Sequence, residues 1–213
     1  MDSGGWKRFL TVECLLYLSF LGMDLTGFGE TTALKYLSIL LIAGMALPHL
    51  RAARPRAVAI ALVFTALADL FLLVLDRWYA AGILLFWLVQ LCYAYRLDGK
   101  TGLMFRGLAA LAASALLYRS GSIPALAAGY IAMFFVNLLR AAAAARRSRR
   151  RSDRLLALGL ALFFCCDLCV GYFHIGEGPL WEFARVAMWG FYLPGQVLIL
   201  ASIQFKEESE HEA

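Results

Sequence analysis

The chain has 213 residues, 62% of them hydrophobic and only 16% charged. A soluble domain of this length does not carry so much apolar surface, and long apolar runs point to membrane spans. The formal charge of +5 comes from 20 Lys and Arg against 15 Asp and Glu, with no domain that would turn it to nucleic-acid binding, so that class of partner is excluded.

Segments of roughly 17 to 22 apolar residues are the length that crosses a bilayer as a helix. The sequence predicts eight, near 8–28, 33–49, 57–75, 79–97, 103–118, 122–139, 155–173 and 184–203. The expected fold is all-α, a polytopic membrane bundle of eight transmembrane helices forming one domain over 1–213. The first segment has the basic start and apolar run of a signal peptide. It lacks a small-residue cleavage site and carries Glu13 inside the run, so it reads as a retained span. The breaks are "GFGETT", "PHLRAARPR", "LDRWY", "RLDGKTG", "YRSGSIP", an Arg-rich run from Arg140 to Arg154, and "HIGEGPLWE". Each contains charge, Gly or Pro, the usual punctuation between elements. The Arg-rich run reads as a solvated loop that anionic membrane lipid would attract.

The basic residues set the orientation. With the amino terminus inside, 16 of the 20 fall on the cytoplasmic side, leaving Lys35, Arg77, Arg119 and Arg185 on the other. That bias satisfies the positive-inside rule, so both termini are predicted to be cytoplasmic. The expected location is a bacterial cytoplasmic (plasma) membrane. Five cysteines, Cys14, Cys92, Cys165, Cys166 and Cys169, all fall in apolar segments. An odd number so placed argues against a disulfide framework and for packing. No further ligand completes a metal set around Cys166 and Cys169, and neither a metal nor a cofactor is expected.

In the seventh segment, "LALGLALFFCCDLCVGYFHI", Asp167 stands in the apolar run. A charge at that depth costs a few kcal/mol or more, so such residues face a cavity or a partner. The third segment, "AIALVFTALADLFLLVLDRW", has Asp69 in the matching place. Both should lie about 9 Å below the outer end of their helices at 1.5 Å per residue. Seven residues further on, Asp76 and His174 are predicted on the same faces, while Gln90 and Gln196 match in the helices that follow. These correspondences predict a parallel 4+4 internal repeat, with a site at the interface between halves.

Helical spacing extends the polar surface. Glu13, Tyr17 and Asp24 share a face of the first span, Arg185, Trp189, Tyr192 and Gln196 share one of the last, and Gln90 lies one turn from Tyr93. Lys35 opens the second helix at the outer edge, where it could pair with an acid. Two meanings are open: a lined cavity, or hydrogen bonds that hold helices together. His49 and His211 read as surface residues, and so does His174.

The residues resemble a known family. An Asp-Leu followed by a loop, then an aromatic-rich helix ending near "QLCYAY", is similar to the YhhN-type membrane proteins, which include lysoplasmalogenases. The family's second-helix "LK" start resembles "ALKYLSILL", its two in-helix aspartate motifs resemble "LADLFLLV" and "CCDLCVGY", and its carboxy-terminal Tyr-x-x-x-Gln resembles "YLPGQVLI". The resemblance runs from about 31 to 203 and implies eight helices. The chain departs from the pattern at Ala68, Cys166 and Gln90; the last stands where the family often has a His.

The resemblance implies hydrolysis of the vinyl ether of a 1-alkenyl lysophospholipid to a fatty aldehyde and a glycerophospho-alcohol. Such a bond is cleaved by protonating its β-carbon, and water captures the resulting oxocarbenium ion. Two carboxyls close together in a low-dielectric site divide that work, because both cannot ionise comfortably. Asp69 and Asp167 are therefore the expected catalytic pair. Lys35 and Arg185 at the rim, with Gln90, Tyr93, Tyr192 and Gln196 deeper in, are the expected substrate contacts. The competing reading is a small transporter or lipid-binding membrane protein whose buried acids relay protons or bind a cation.

Overall fold

The computed structural model describes residues 3–52, 55–148 and 150–204. Arg54, Arg149, Lys206, His211 and both chain ends therefore lie outside the described residues. Seven helices follow one another: α1 (Ser3–Thr26), α2 (Thr32–Ala46), α3 (Arg56–Asp69), α4 (Tyr79–Leu117), α5 (Ser122–Ser148), α6 (Arg151–Ile175) and α7 (Pro179–Gln204). Each, with its flanking turns, is long and apolar enough to cross a membrane. Large apolar side chains such as Leu15, Leu67, Leu116, Leu158 and Leu168 stand exposed on the outside. In a bilayer that surface meets lipid, and the helical ladder satisfies the backbone internally.

At 39 residues, α4 would be about 58 Å long if straight, nearly twice the hydrocarbon thickness. It is not straight. Gly99 has φ 63° and ψ −146° inside it, a conformation that only glycine adopts without strain, and the helix divides there into two limbs. The predicted break "RLDGKTG" thus shrinks to one residue. The Arg-rich run also differs from the expected loop: α5 continues through it to Ser148 and α6 begins at Arg151. Ala and Arg are among the best helix formers, so charge ends the apolar surface there without ending the helix.

Asp76 departs from expectation as well. After Asp69 the ladder passes into one π-helical turn, Leu70–Val74, and stops. Asp76 then lies in the following turn with φ 46°, exposed, and accepts a hydrogen bond from the Tyr79 hydroxyl. It shares no helix face with Asp69. His174 does stay on α6, exposed in its last turn. Asp69 is five residues from Val74, whereas Asp167 is eight from Ile175, so the equal distance to the helix end predicted for the two is not kept.

Neighbours in sequence pack against one another, and α7 also lies against α1, α2 and α3. Its closest partner is α6. A Cβ added to Gly159 would sit 2.8 Å from the Gly195 carbonyl oxygen and 2.9 Å from the Ile199 nitrogen, so these backbones meet because both carry glycine. The core between the helices mixes small and aliphatic side chains with a cluster of aromatic rings. Phe163 touches Phe134 at 5.0 Å between ring centroids, Phe86 at 5.8 Å and Tyr192 at 5.5 Å.

Two ends can be told apart. One carries Arg96, Asp98, Arg140 and Asp153; the other carries Asp24, Lys35, Arg77 and Arg185. They are called here the Arg-rich end and the Lys35 end.

Candidate functional site

Asp69 is the last residue of α3 before the π turn and is 8% exposed. A π turn widens the ladder locally and turns a side chain away from the regular helical direction. The Tyr192 hydroxyl of α7 donates a hydrogen bond to Asp69 Oδ2. Asp167 sits in unbroken helix on α6, half-buried, and accepts a hydrogen bond of 2.5 Å from the Tyr130 hydroxyl of α5. The two carboxyls lie within electrostatic reach of each other, and both act on Tyr192. Four helices thus bring two acids and two phenols to one place.

Behind Asp167 the polar groups form a connected chain. Tyr130 lies in reach of the Gln90 side chain, whose Oε1 accepts from Asn137 Nδ2 at 3.0 Å; the Gln90 carbonyl accepts from the same nitrogen at 2.8 Å. Asn137 Oδ1 in turn accepts from Arg106 Nε at 3.0 Å, and Arg106 reaches Asp98 at 2.5 Å. Arg140 closes the chain on the same carboxylate. Arg106, one of the 16 charges assigned to the cytoplasmic side and inside the predicted span 103–118, is only 4% exposed. Its second-limb position across the Gly99 break lets it fold back on Asp98, and that pairing allows its burial.

Lys35 is buried and already paired, 2.7 Å from Asp24 on α1. Its ammonium lies 4.6 Å from the centre of the Trp189 ring, and Trp189 packs edge-on against Tyr192 at 5.5 Å. One indole therefore separates the charged cluster at the Lys35 end from the Asp69–Tyr192 pair. Arg185 lies within electrostatic range of Lys35 and pairs with Glu182 at 3.1 Å, with 39% of its side chain exposed. Gln90, Tyr93 and Gln196 are fully or almost fully buried. The Tyr93 hydroxyl and both polar atoms of Gln196 have no hydrogen-bond partner among the described residues.

Sequence reasoning named Asp69, Asp167, Tyr192, Gln90 and Gln196, and the structure gathers them in the bundle interior. Tyr130, Asn137 and Arg106 were missed as site residues. Their signal was present: Tyr130 and Asn137 are seven residues apart on one face of an otherwise apolar helix. An open groove of about 510 Å³ between α3 and α4, lined by Arg56, Ile60, Phe64, Leu88 and Tyr95 among others, contains neither aspartate. Among the described residues no group of three or more His, Cys, Asp or Glu could hold a metal ion.

The family model of the YhhN proteins matches residues 30–203, from the turn before α2 to the last turn of α7. The chain belongs to the YhhN family. No curated protein and no solved structure matches the chain. The YhhN match takes in Lys35, both aspartates and their tyrosines, and the whole chain from Gln90 to Arg140. It leaves out all of α1, the helix that supplies Asp24 to Lys35 and Glu13 to the interior.

Proposed function

We propose that this protein is a membrane-embedded ether hydrolase of the lysoplasmalogenase kind, acting on 1-alkenyl lysophospholipids. The observation that carries the reading is the pair of carboxyls, Asp69 and Asp167, each held by its own tyrosine hydroxyl and within electrostatic reach of the other. In a dry, low-dielectric interior two such groups do not both ionise comfortably, so one serves as an acid and the other as a carboxylate.

The reaction needs that division. The acid gives its proton to the β-carbon of the vinyl ether, and the α-carbon becomes an oxocarbenium ion that the carboxylate stabilises. Water adds to that carbon and gives up a proton to the carboxylate. The resulting hemiacetal gives its hydroxyl proton to the first carboxyl, now ionised, as its bond to the glycerol oxygen breaks; that oxygen takes the proton held by the second carboxyl, which releases a fatty aldehyde and the glycerophospho-alcohol and restores both groups. The same logic governs glycoside hydrolysis, which passes through a similar cation.

The bundle would cross the membrane eight times, the two limbs of α4 counting separately. Both termini and the Arg-rich end would face the cytoplasm of a bacterial plasma membrane. Two helix pairs support the 4+4 repeat: Tyr36 of α2 lies near Asp69 and Tyr130 of α5 binds Asp167, so the crossing just before each aspartate's own contributes a tyrosine in both halves. At the Lys35 end a lysolipid would rest its phosphate on Arg185, the more exposed cation, with Lys35 behind it. Its vinyl ether would then lie past Trp189, near Tyr192, with Gln90 and Tyr93 deeper still.

The test is direct. Purified protein in bilayers is incubated with 1-alkenyl lysophospholipid, and free aldehyde is measured. Release of one aldehyde per lipid consumed supports the reading. None at any pH between 5 and 9 would overturn it and favour a transporter.

A further inference from the structure

One turn below the Asp69–Tyr192 pair, toward the Arg-rich end, lies a layer of polar groups with nothing to bind. Thr65 precedes Asp69 by four residues and Gln196 follows Tyr192 by four. Since α3 and α7 run in opposite directions, the Tyr192–Asp69 hydrogen bond brings Thr65 and Gln196 level as well. The step is about 6 Å at 1.5 Å per residue.

Ser38 joins them from α2. This helix runs alongside α7 in the same direction, with Lys35 over Trp189 near one end of the contact and Gln204 bonded to the Met45 carbonyl near the other. Ser38 and Gln196 both fall between those two contacts. On α1, the Tyr17 hydroxyl donates to the Gly190 carbonyl, which Pro194 leaves free because it has no N–H. One turn further along each helix, Glu13 reaches the level of Pro194.

All four are buried: Ser38 is 0% exposed, Thr65 and Gln196 1%, and Glu13 3%. Every side-chain oxygen and nitrogen they carry lacks a hydrogen-bond partner among the described residues. They do not bond one another either, although α7 packs against the three other helices that carry them. Buried polar groups are almost always satisfied, and where protein does not satisfy them ordered water does. A dry arrangement would leave six polar atoms in the driest part of the bundle unpaired.

We propose that internal water hydrates this polar layer and that the molecule held by Thr65 and Gln196 supplies the water consumed at Asp69. The inference rests on the hydrolase reading, which uses one water per turnover in a core otherwise packed with apolar side chains. Thr65 and Gln196 are positioning residues: they hold the water one turn from the carboxylate, and Asp69 takes its proton when it adds to the cation. Three of the four groups lie within the YhhN match; Glu13 does not.

Hydration can be measured without activity. Solid-state NMR of the protein in bilayers reads magnetisation transfer from water to the Gln196 side-chain amide, assigned through its loss in Gln196→Leu. Transfer in the wild type is expected. No transfer overturns the water site, and so does a signal that disappears when sodium is added, since a cation would then be the occupant. The catalytic half is read on Thr65→Val, which keeps the shape and removes the hydroxyl. Its kcat should fall about 10²-fold with KM unchanged, the scale of a misplaced reactant, while Thr65→Ser keeps the wild-type rate. A folded Thr65→Val with full kcat overturns the supply role. If the wild type releases no aldehyde, the hydrolase reading and the supply role fail, and the NMR result alone decides whether the chamber is wet.

Discussion

Asp69 and Asp167 carry the same side chain on two helices that run the same way, and each is held by one tyrosine. Their surroundings differ. Asp167 stands in unbroken α6, half-buried, and behind its tyrosine the polar groups are joined through Gln90, Asn137 and Arg106 to Asp98 and Arg140. Asp69 ends α3 at a π turn, is more deeply buried, and has below it Thr65 and Gln196 with no partners. Behind one acid most polar groups have protein partners, with Gln90 Nε2 left over; below the other, Thr65 and Gln196 have none among the described residues. A saturated network fixes geometry, whereas an unsatisfied one leaves a place for a reactant.

The largest effect on that contrast should come from Arg106. Replacing it with Leu removes the cation buried beside Asp98 and Asn137, and breaking a buried pair costs about 3 kcal/mol or more. Denaturant or thermal unfolding in detergent should show that loss, and a variant as stable as wild type would mean the chain behind Asp167 carries little. Next comes Gly159→Ala, at about 1–3 kcal/mol, the usual range for overpacking. Its added methyl meets backbone of α7 rather than a flexible side-chain tip. It also pushes α6 and α7 apart, and with them Asp167 and Tyr192, so the rate of aldehyde release should drop together with stability.

A third pair of variants sharpens the comparison directly. Tyr192→Phe removes the hydroxyl from the more buried acid, and Tyr130→Phe removes it from the half-buried one. Hydrogen bonds to charged groups are worth roughly 1.5–3 kcal/mol, so Tyr192→Phe should cost about tenfold or more in rate, and Tyr130→Phe less because water can replace the donor. Equal effects would erase the distinction between the two sides. The smallest change expected is in Gln90→His, which places the family's more usual residue in the bonded chain. A gain in aldehyde release would show that the amide limits this member, and a loss would show that Asn137 needs it.

Much of the fold was legible in the sequence, since the bilayer demands apolar segments of one length and the breaks between them are polar or rich in Gly and Pro. The ends of helices were not. Nothing in "RAAAAARRSRRR" opposes a helix, so hydropathy ends at Arg140 while α5 goes on to Ser148. The two aspartates could be found because an acid in a greasy run is conspicuous, and Tyr192 and Gln196 because they fall at helical spacing. Arg106 served only to set the orientation because its partners lie across a one-residue break and on another helix, a pairing no local pattern encodes. Thr65 and Ser38 went unremarked for a different reason: a hydroxyl in a membrane helix normally bonds its own backbone, and only the structure shows that these two do not.

The central claim is that the aspartates perform chemistry rather than fasten helices. Aldehyde release from 1-alkenyl lysophospholipid by Asp69→Asn and by Asp167→Asn, each confirmed as folded, tests it most directly. Asn keeps the shape and a hydrogen-bond acceptor for the tyrosine but can neither give up a proton as an acid nor carry the negative charge. Each variant should lose about 10²-fold or more in rate, the usual contribution of a positioned acid or base. Folded variants that release aldehyde at the wild-type rate would contradict it.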